Sequence, residues 1–172
     1  MGLIHDTDDH RAIRESVQKI CARYGQQYFL ERSRAGEDIT ELWQELGDAG
    51  LLGVHLPEEY GGGGCGMQEA VVVVEELAAH GMPMLIWVIS PAMIGSILAA
   101  YGSEHLKQEW LPGIAAGTKK IAFGLTESDA GSNSHQVDHG APRRRRLGAQ
   151  GCEDVHLRGR PGRRAARGRP GR

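Results

Sequence analysis

The chain has 172 residues, of which 40% are apolar and 24% are charged, and this length and composition predict one globular domain with a sizeable core. The net charge of −2 hides two unlike parts, because residues 1–136 carry 9 Lys and Arg against 19 Asp and Glu, whereas residues 137–172 carry 11 Arg against 3 acids. Three cysteines without a CxxC spacing exclude a disulfide framework and a structural zinc site.

The first predicted helix runs from about Asp9 to Arg34, because apolar side chains recur there at intervals of three and four residues. These side chains are Ile13, Val17, Ile20, Tyr24 and Tyr28. The start MGLIHDTDDHR lacks the basic and apolar regions of a signal peptide. Together with the cysteine pattern, it predicts a cytoplasmic protein.

A second helix is predicted from a capping-box pattern at Asp38 and Glu41, and it ends at Gly50. Its apolar face consists of Ile39, Leu42, Trp43 and Leu46. The loop LGVHLPEEYGGGGCG follows, and its proline and glycines cannot continue a helix.

Two further helices are predicted on either side of a long apolar run. The first of them covers Met67 to His80 and ends at Gly81. Its four consecutive valines favour a strand by propensity, but the Glu and Ala residues around them favour a buried helix. The other begins at an N-cap, Ser103, and ends before Gly117. Its apolar stripe consists of Leu106, Trp110 and Ile114.

The apolar run from Met82 to Tyr101 is about as long as a membrane span. Three features argue against a membrane span: Ser90-Pro91 in the middle of the run, Gly95-Ser96 after it, and the lack of flanking Lys or Arg. We therefore predict a helix that is buried in a helical bundle and is kinked or broken at the proline, with no membrane association.

The pattern changes to a period of two at IAFGLTE, which predicts a strand. Its large residues are Ile121, Phe123 and Leu125, and its small ones are Ala122, Gly124 and Thr126. The bulky side is expected to pack on a core. The small side admits two interpretations: a flat ligand lying close to the backbone near the Thr126 hydroxyl, or ordinary packing against another element.

The remaining candidate sites are weaker. Small residues from Asp129 to Ser134 offer backbone N–H groups to an anionic ligand, but ordinary turns use the same residues. His135 and His139 have a spacing that suits a metal on a helix, but they lie in a predicted loop without the Glu of a metalloprotease motif. We therefore predict no metal site.

The last 36 residues, 137–172, contain 11 Arg, 7 Gly, 4 Ala and 3 Pro. Such a segment cannot bury enough apolar surface to offset its ordering entropy. We predict that it is disordered.

Four blocks of the chain, in this order, resemble the N-terminal half of an acyl-CoA dehydrogenase. They are LWQELGDAGLLGVHLPEEYGGGG, MQEAVVVVEELAAHG, GSEHLKQEWLPGIAAG and IAFGLTESDAGS, and the resemblance covers about Asp9 to Ser132. The family's flavin-binding signature has an aromatic residue, a variable one, an aliphatic one, Thr-Glu, two variable positions and Ala-Gly-Ser. Phe123 to Ser132 is similar to it throughout.

The resemblance implies a mainly α protein. Residues 1–118 would form a helical domain of about five helices, residues 119–136 the first strand of an incomplete β-barrel middle domain, and residues 137–172 the basic tail. It also implies an FAD-dependent flavoprotein of fatty acid and lipid metabolism that dehydrogenates acyl-CoA thioesters. Phe123, Leu125, Thr126 and Ser132 would contact the FAD, and Ser132 also the substrate. An electron-transfer flavoprotein and a homo-oligomer are the implied partners.

The resemblance stops near Gln136, and the Glu that serves the family as catalytic base would lie in a C-terminal domain beyond it. No catalytic residue is therefore assigned in this chain, and we predict a fragment that is inactive alone. We hypothesise that the tail is an out-of-frame translation of GC-rich coding DNA. One alternative is a cationic arm that binds nucleic acid or acidic partners, and another is a helical interaction module without catalysis.

Overall fold

The computed structural model describes residues 6–126 and 131–133. The chain divides into two compact units, Met1–Phe123 and Gly124–Arg172. The described part of the first unit is a bundle of helices, as the sequence predicts. The predicted tail from residue 137, as well as His135 and His139, lies outside the described residues.

The helical unit contains six α-helices, a 3₁₀ turn and a π-helical segment among its described residues. They are α1 (Asp8–Ala35), α2 (Thr40–Asp48), the 3₁₀ turn (Glu58–Tyr60), α3 (Met67–Ala79), α4 (Leu85–Trp87), the π-helical segment (Val88–Gly95), α5 (Ser96–Tyr101) and α6 (Glu104–Ala115). The backbone stays in the right-handed helical region where α4, the π-helical segment and α5 meet. These three pieces therefore form the single fourth helix that the sequence predicts.

Helix α1 begins with a reciprocal cap and bends in its second half. The hydroxyl of Thr7 accepts the backbone N–H of His10 at 3.1 Å, and the ring Nδ1 of His10 accepts the N–H of Thr7 at 3.4 Å. Gly25, with φ of 73° and ψ of 158°, interrupts the helical dihedral angles. An extended, positive-φ residue inside a helix needs glycine, and here it produces a kink.

The capping box predicted at Asp38 and Glu41 is wrong. The N-cap of α2 is Ile39, and no side chain caps this helix. The Glu41 carboxylate instead accepts the hydroxyl of Tyr28 in α1 at 2.8 Å. A tertiary contact between helices has therefore replaced the local one.

The core joins the inner faces of α1, α2, α3 and the fourth helix. Its large fully buried side chains include Leu42, Trp43, Leu46, Leu77 and Trp87. A second cluster consists of Leu56, Tyr60, Leu111, Ile114 and Ala115. Two of the four consecutive valines, Val72 and Val73, are fully buried, whereas Val71 is 46% exposed. Packing of one helical face therefore overrides their strand propensity, as predicted.

The fourth helix widens at its proline and continues, where the sequence predicts a kink or a break. Pro91 has no N–H to donate and its ring crowds the preceding turn of an α-helix. The turn around it is π-helical, from Val88 to Gly95. Among the described residues, no helix is long and apolar enough to cross a membrane.

The strand predicted from Ile121 is not observed. Residues 119–126 have no regular secondary structure. A strand needs the backbone groups of a neighbouring strand to complete its ladder. Here the N–H groups of Lys119 and Ile121 donate to helix residues, the Gly113 carbonyl at 2.9 Å and the Ser90 hydroxyl at 3.0 Å. The alternating pattern is present, but the first N–H of the predicted strand, that of Ile121, is bonded to the fourth helix.

A cluster of charged groups joins α1 to α3. The Arg14 guanidinium donates to Asp6 at 3.0 Å, to Glu75 at 2.7 Å and to Glu76 at 3.0 Å. The Glu76 side chain is only 8% exposed, and Gln18 donates to its other oxygen at 3.0 Å. The hydrogen bonds to Asp6 and Glu75 raise the pKa of Arg14, so the cation is held in its charged form.

Replacement of Arg14 by Ala is expected to lower the free energy of unfolding by about 3 kcal/mol, because a buried carboxylate loses its cation. Urea unfolding followed by circular dichroism measures this. The matched control is Arg11→Ala, since Arg11 pairs with Asp8 on the surface with both side chains exposed. That change is expected to cost at most about 0.5 kcal/mol. Equal losses in the two variants would contradict this role of Arg14.

Candidate functional site

The segment that follows α6 carries the residues predicted to bind a ligand, and it is anchored at its start. The indole N–H of the buried Trp43 donates to the carbonyl of Gly117 at 2.9 Å, across 74 positions of sequence. Gln44 donates to the preceding carbonyl, that of Ala116, at 3.2 Å. Two side chains of α2 thus hold the end of α6.

Gly117 is required for this arrangement. Its φ is 76°, in the left-handed region. A Cβ at this position would lie 2.8 Å from Leu52 Cδ1 and 3.1 Å from Trp43 Nε1. Conformation and space therefore both select glycine.

Two lysines continue the attachment along the same segment. The Lys119 ammonium lies 4.7 Å from the ring centroid of Trp110, and its backbone N–H donates to Gly113. The Lys120 ammonium lies 4.9 Å from the ring of Trp43. Cations over aromatic faces are attracted by the ring quadrupole, so successive residues are tied to different helices.

The last of these attachments is made by the fourth helix. The hydroxyl of Ser90, which is fully buried, accepts the backbone N–H of Ile121 at 3.0 Å. The next residue, Pro91, offers its carbonyl to Nε2 of His55 at 3.0 Å. Sequence reasoning missed both Ser90 and His55. The signal for Ser90 was a hydroxyl in an apolar run, which needs a partner when it is buried.

His55 is held in its neutral form. Burial lowers the pKa of its imidazole, because the charged form is poorly solvated among apolar groups. Its ring lies 5.9 Å from that of Trp87, measured between centroids. With the Nε2 hydrogen donated to the Pro91 carbonyl, the neutral tautomer protonated at Nε2 fits this site.

The predicted ligand-binding residues are exposed. Phe123 is 45% exposed and belongs to the helical unit, whereas Leu125 is 41% exposed and belongs to the second unit, as do the exposed Thr126 and Ser132. The expected packing of the bulky side on a core is therefore wrong for Phe123 and Leu125. Only Ile121 packs, against the second core cluster. The predicted ligand contacts of Phe123, Leu125, Thr126 and Ser132 stay predictions.

Two clefts open on the surface of the helical unit. One, of about 510 Å³, lies beside the anchored segment and is lined by Thr40, Trp43, Gln44, Gly117, Thr118 and Lys120. The other, of about 330 Å³, lies between α3 and the fourth helix and is almost wholly apolar, with Met67, Val71, Trp87, Val88 and Ala92 in its wall.

Three carboxylates of the described residues, those of Asp6, Glu41 and Glu69, have a lowered pKa and are held in the charged form. The Arg14 hydrogen bond lowers the pKa of Asp6. Backbone N–H groups in the first turns of α2 and α3 lower the pKa of Glu41 and of Glu69. A lowered pKa makes a carboxylate a weaker base. Residues 6–126 and 131–133 also contain no cluster of three or more His, Cys, Asp or Glu suited to a metal ion.

Comparison with known proteins gives one consistent family. A family model described as the acyl-CoA dehydrogenase N-terminal domain matches residues 7–118. The acyl-CoA dehydrogenase FadE12 of Mycobacterium tuberculosis is 49% identical over 132 residues, which cover 77% of this chain and 34% of that relative. The mitochondrial long-chain specific acyl-CoA dehydrogenase of Sus scrofa is 32% identical over 131 residues, covering 76% and 30%.

A solved structure agrees with these relatives. Glutaryl-CoA dehydrogenase from Mycobacterium smegmatis in complex with FADH2 is 30% identical and superposes with a TM-score of 0.67, covering 75% of this chain and 33% of that one. The chain thus spans about a third of the length of the relatives that it matches.

Replacement of Gly117 by Ala is expected to lower the free energy of unfolding by about 3 kcal/mol. About 1 kcal/mol comes from the positive φ and the rest from crowding against Leu52 and Trp43. Gly36→Ala is the matched control, because Gly36 has a φ of 68° and open space around a Cβ. It is expected to cost only about 1 kcal/mol. Chemical denaturation distinguishes the two, and equal costs would refute a packing role for Gly117.

The lowered pKa of His55 predicts a loss of stability in acid. The unfolded chain binds a proton near pH 6.5, the usual value, before the folded chain does. The stabilising contribution is therefore complete above pH 6.5, is lost as the pH falls towards the lower pKa of the folded state, and levels off below it. Denaturation midpoints between pH 7.5 and about 5 measure this. His55→Gln is expected to flatten the profile, whereas His105→Gln, at an exposed ring, should leave it unchanged.

Proposed function

The chain belongs to the acyl-CoA dehydrogenase family, and on this premise we propose that it carries the N-terminal, flavin-contacting part of an FAD-dependent enzyme that dehydrogenates acyl-CoA thioesters. Family membership rests on the match over residues 7–118 and on the relatives described above. It confirms the resemblance drawn from the sequence. The reaction, the cofactor and the partners of this chain are the proposal.

One observation carries the proposal. The signature from Phe123 to Ser132 directly follows the matched helical domain, at the point where anchors from α2, α6 and the fourth helix hold the chain. A binding segment needs a rigid support to act with a defined geometry. The helical unit supplies that support through residue 121.

The exposed residues suit a flavin. Phe123 and Leu125 present large apolar surfaces that stay uncovered, and Ala122 and Gly124 between them leave the backbone accessible. A flat, mostly apolar ring with polar edges can bury such surface and bond to backbone groups and to the hydroxyl of Thr126. Ser132 would reach the pyrophosphate and the acyl-CoA, in keeping with the family signature.

When bound, FAD would supply the acceptor for the hydride that leaves the β-carbon of the acyl group. In this proposal the residues of this chain bind and orient the cofactor, and they do not remove the α-proton. The carboxylates with a resolved pKa shift in the described part have lowered values, and Glu76 is held by Arg14 and Gln18. We therefore propose that the chain by itself does not complete the reaction.

The same family membership supports further proposals about partners. An acyl-CoA thioester is the proposed substrate class, an electron-transfer flavoprotein the proposed acceptor of electrons, and a homo-oligomer the proposed assembly. Each concerns the full-length enzyme type, because the chain spans about a third of its relatives.

A chimera tests the flavin contacts. Residues of this chain up to Asn133 would replace the corresponding part of the FadE12 relative. The purified chimera is expected to carry FAD and to lose its visible flavin absorbance when an acyl-CoA is added without oxygen. Thr126→Val in the chimera is expected to weaken FAD binding roughly fivefold, which is the loss of about one hydrogen bond. Titration with FAD measures this.

The matched control is Thr40→Val, which makes the same change at an exposed threonine of α2. It is expected to bind FAD like the unsubstituted chimera. A folded chimera that binds no flavin would refute the proposed function. A Thr126→Val chimera with unchanged affinity for FAD would refute the role of that hydroxyl. The unmodified chain, given FAD and an acyl-CoA, is expected to show no bleaching.

A further inference from the structure

We propose that Ser90 is a positioning residue, which sets the register of the flavin-contacting segment by accepting the backbone N–H of Ile121. This inference rests on the proposed function, since that function assigns the contacts that follow Ile121. It adds a residue that lies outside the signature, 31 positions earlier in the chain and on a different helix.

The geometry singles out Ser90 among the polar groups of the fourth helix. Its side chain is fully buried, and its Oγ lies 3.0 Å from the nitrogen of Ile121. A buried hydroxyl costs free energy unless it is hydrogen-bonded. The backbone N–H of Ile121, which has no strand partner among the described residues, has the same requirement. Each group satisfies the other.

The position of Ser90 is itself determined by its neighbours. It lies in the π-helical turn that Pro91 imposes, and π turns inside helices occur frequently at functional sites. The Nε2 hydrogen of His55 donates to the Pro91 carbonyl at 3.0 Å. His55, in the loop after α2, thus holds the backbone immediately after Ser90.

The bond to Ser90 is the last one before the proposed contacts. Trp43 holds Gly117, and the Gly113 carbonyl holds Lys119. Residues 122–126 make no hydrogen bond to another described residue. Within the helical unit, Ile121 is therefore the last position before Phe123 whose backbone is held by a hydrogen bond.

Register would matter in the proposed complex, where the resemblance implies an extended segment along which large and small residues alternate. In an extended segment a slip of one residue exchanges the two sides. Such a slip would put the bulky Phe123 and Leu125 where the small Gly124 and Thr126 belong, and a flat ligand would no longer lie against the backbone. The Ile121 N–H held by Ser90 disfavours this slip.

Amide hydrogen exchange by NMR on the full 172-residue chain tests the contact. Ser90→Ala is expected to speed exchange of the Ile121 amide about fivefold, the equivalent of one lost hydrogen bond. Exchange of core amides such as those of Leu46 and Leu77 should stay unchanged. Ser96→Ala is the matched control, because Ser96 lies in the same continuous helix and is only partly buried. It is expected to leave Ile121 unchanged.

Ser90→Cys keeps a weak acceptor at the same place and is expected to restore part of the protection. The proposal is overturned if Ser90→Ala leaves Ile121 exchange as it was, or if Ser96→Ala speeds it equally. It is also overturned if neither Ser90 variant folds, since Ser90 would then be a general requirement of the core.

The functional consequence is measured in the chimera with FadE12. Ser90→Ala there is expected to weaken FAD binding about fivefold, and Ser96→Ala to leave it unchanged. Unchanged affinity in Ser90→Ala would overturn the positioning role. A chimera that binds no FAD before any substitution would refute the proposed function instead. The exchange experiment on the 172-residue chain would still test the hydrogen bond between Ser90 and Ile121.

Discussion

The buried hydrogen bond from the Trp43 indole to the Gly117 carbonyl is the constraint on which the functional part of the structure depends. It joins α2 to the end of α6, and the chain turns close to the indole ring at Gly117, whose φ is positive. A Cβ at that position would displace the ring or the backbone. The direction in which the chain leaves the bundle is thereby set by the core, because Trp43 is itself packed in it.

The buried polar side chains of Glu76 and Ser90 and the half-buried His55 connect separate parts of the helical unit. Glu76 receives Arg14 and Gln18 from α1, so α1 and α3 are joined by charge as well as by apolar packing. Ser90 and His55 act on the widened turn of the fourth helix and on the segment after α6. Each of these groups has at least one donor or acceptor from another part of the chain, which offsets part of the cost of its burial and makes its position specific. The buried Nδ1 of His55 has no partner among the described residues.

We propose that these contacts serve the cofactor-binding part of an acyl-CoA dehydrogenase. A scaffold that ends in four successive anchors, at Gly117, Lys119, Lys120 and Ile121, is suited to present a binding segment whose own side chains are exposed. The chain corresponds to about a third of its relatives, and its contribution to their type of chemistry is proposed to be the support and part of the cofactor contact. The proton acceptor is expected from elsewhere in the full-length enzyme type.

Helix positions could be predicted from the sequence because the helical period, Ser103 as a cap and the glycines at helix ends are local properties of the chain. The resemblance of four sequence blocks, including the signature from Phe123 to Ser132, identified the family and suggested the candidate binding segment. The capping box at Asp38 and the strand from Ile121 failed for one reason: Glu41 and the N–H of Ile121 bond to partners far away in sequence. The helical period, the cap at Ser103 and the signature were thus determined by the sequence alone. The anchors Trp43, Ser90 and His55 were decided only by tertiary structure, because a hydrogen bond between distant residues depends on how the helices pack and leaves no periodic trace in the chain.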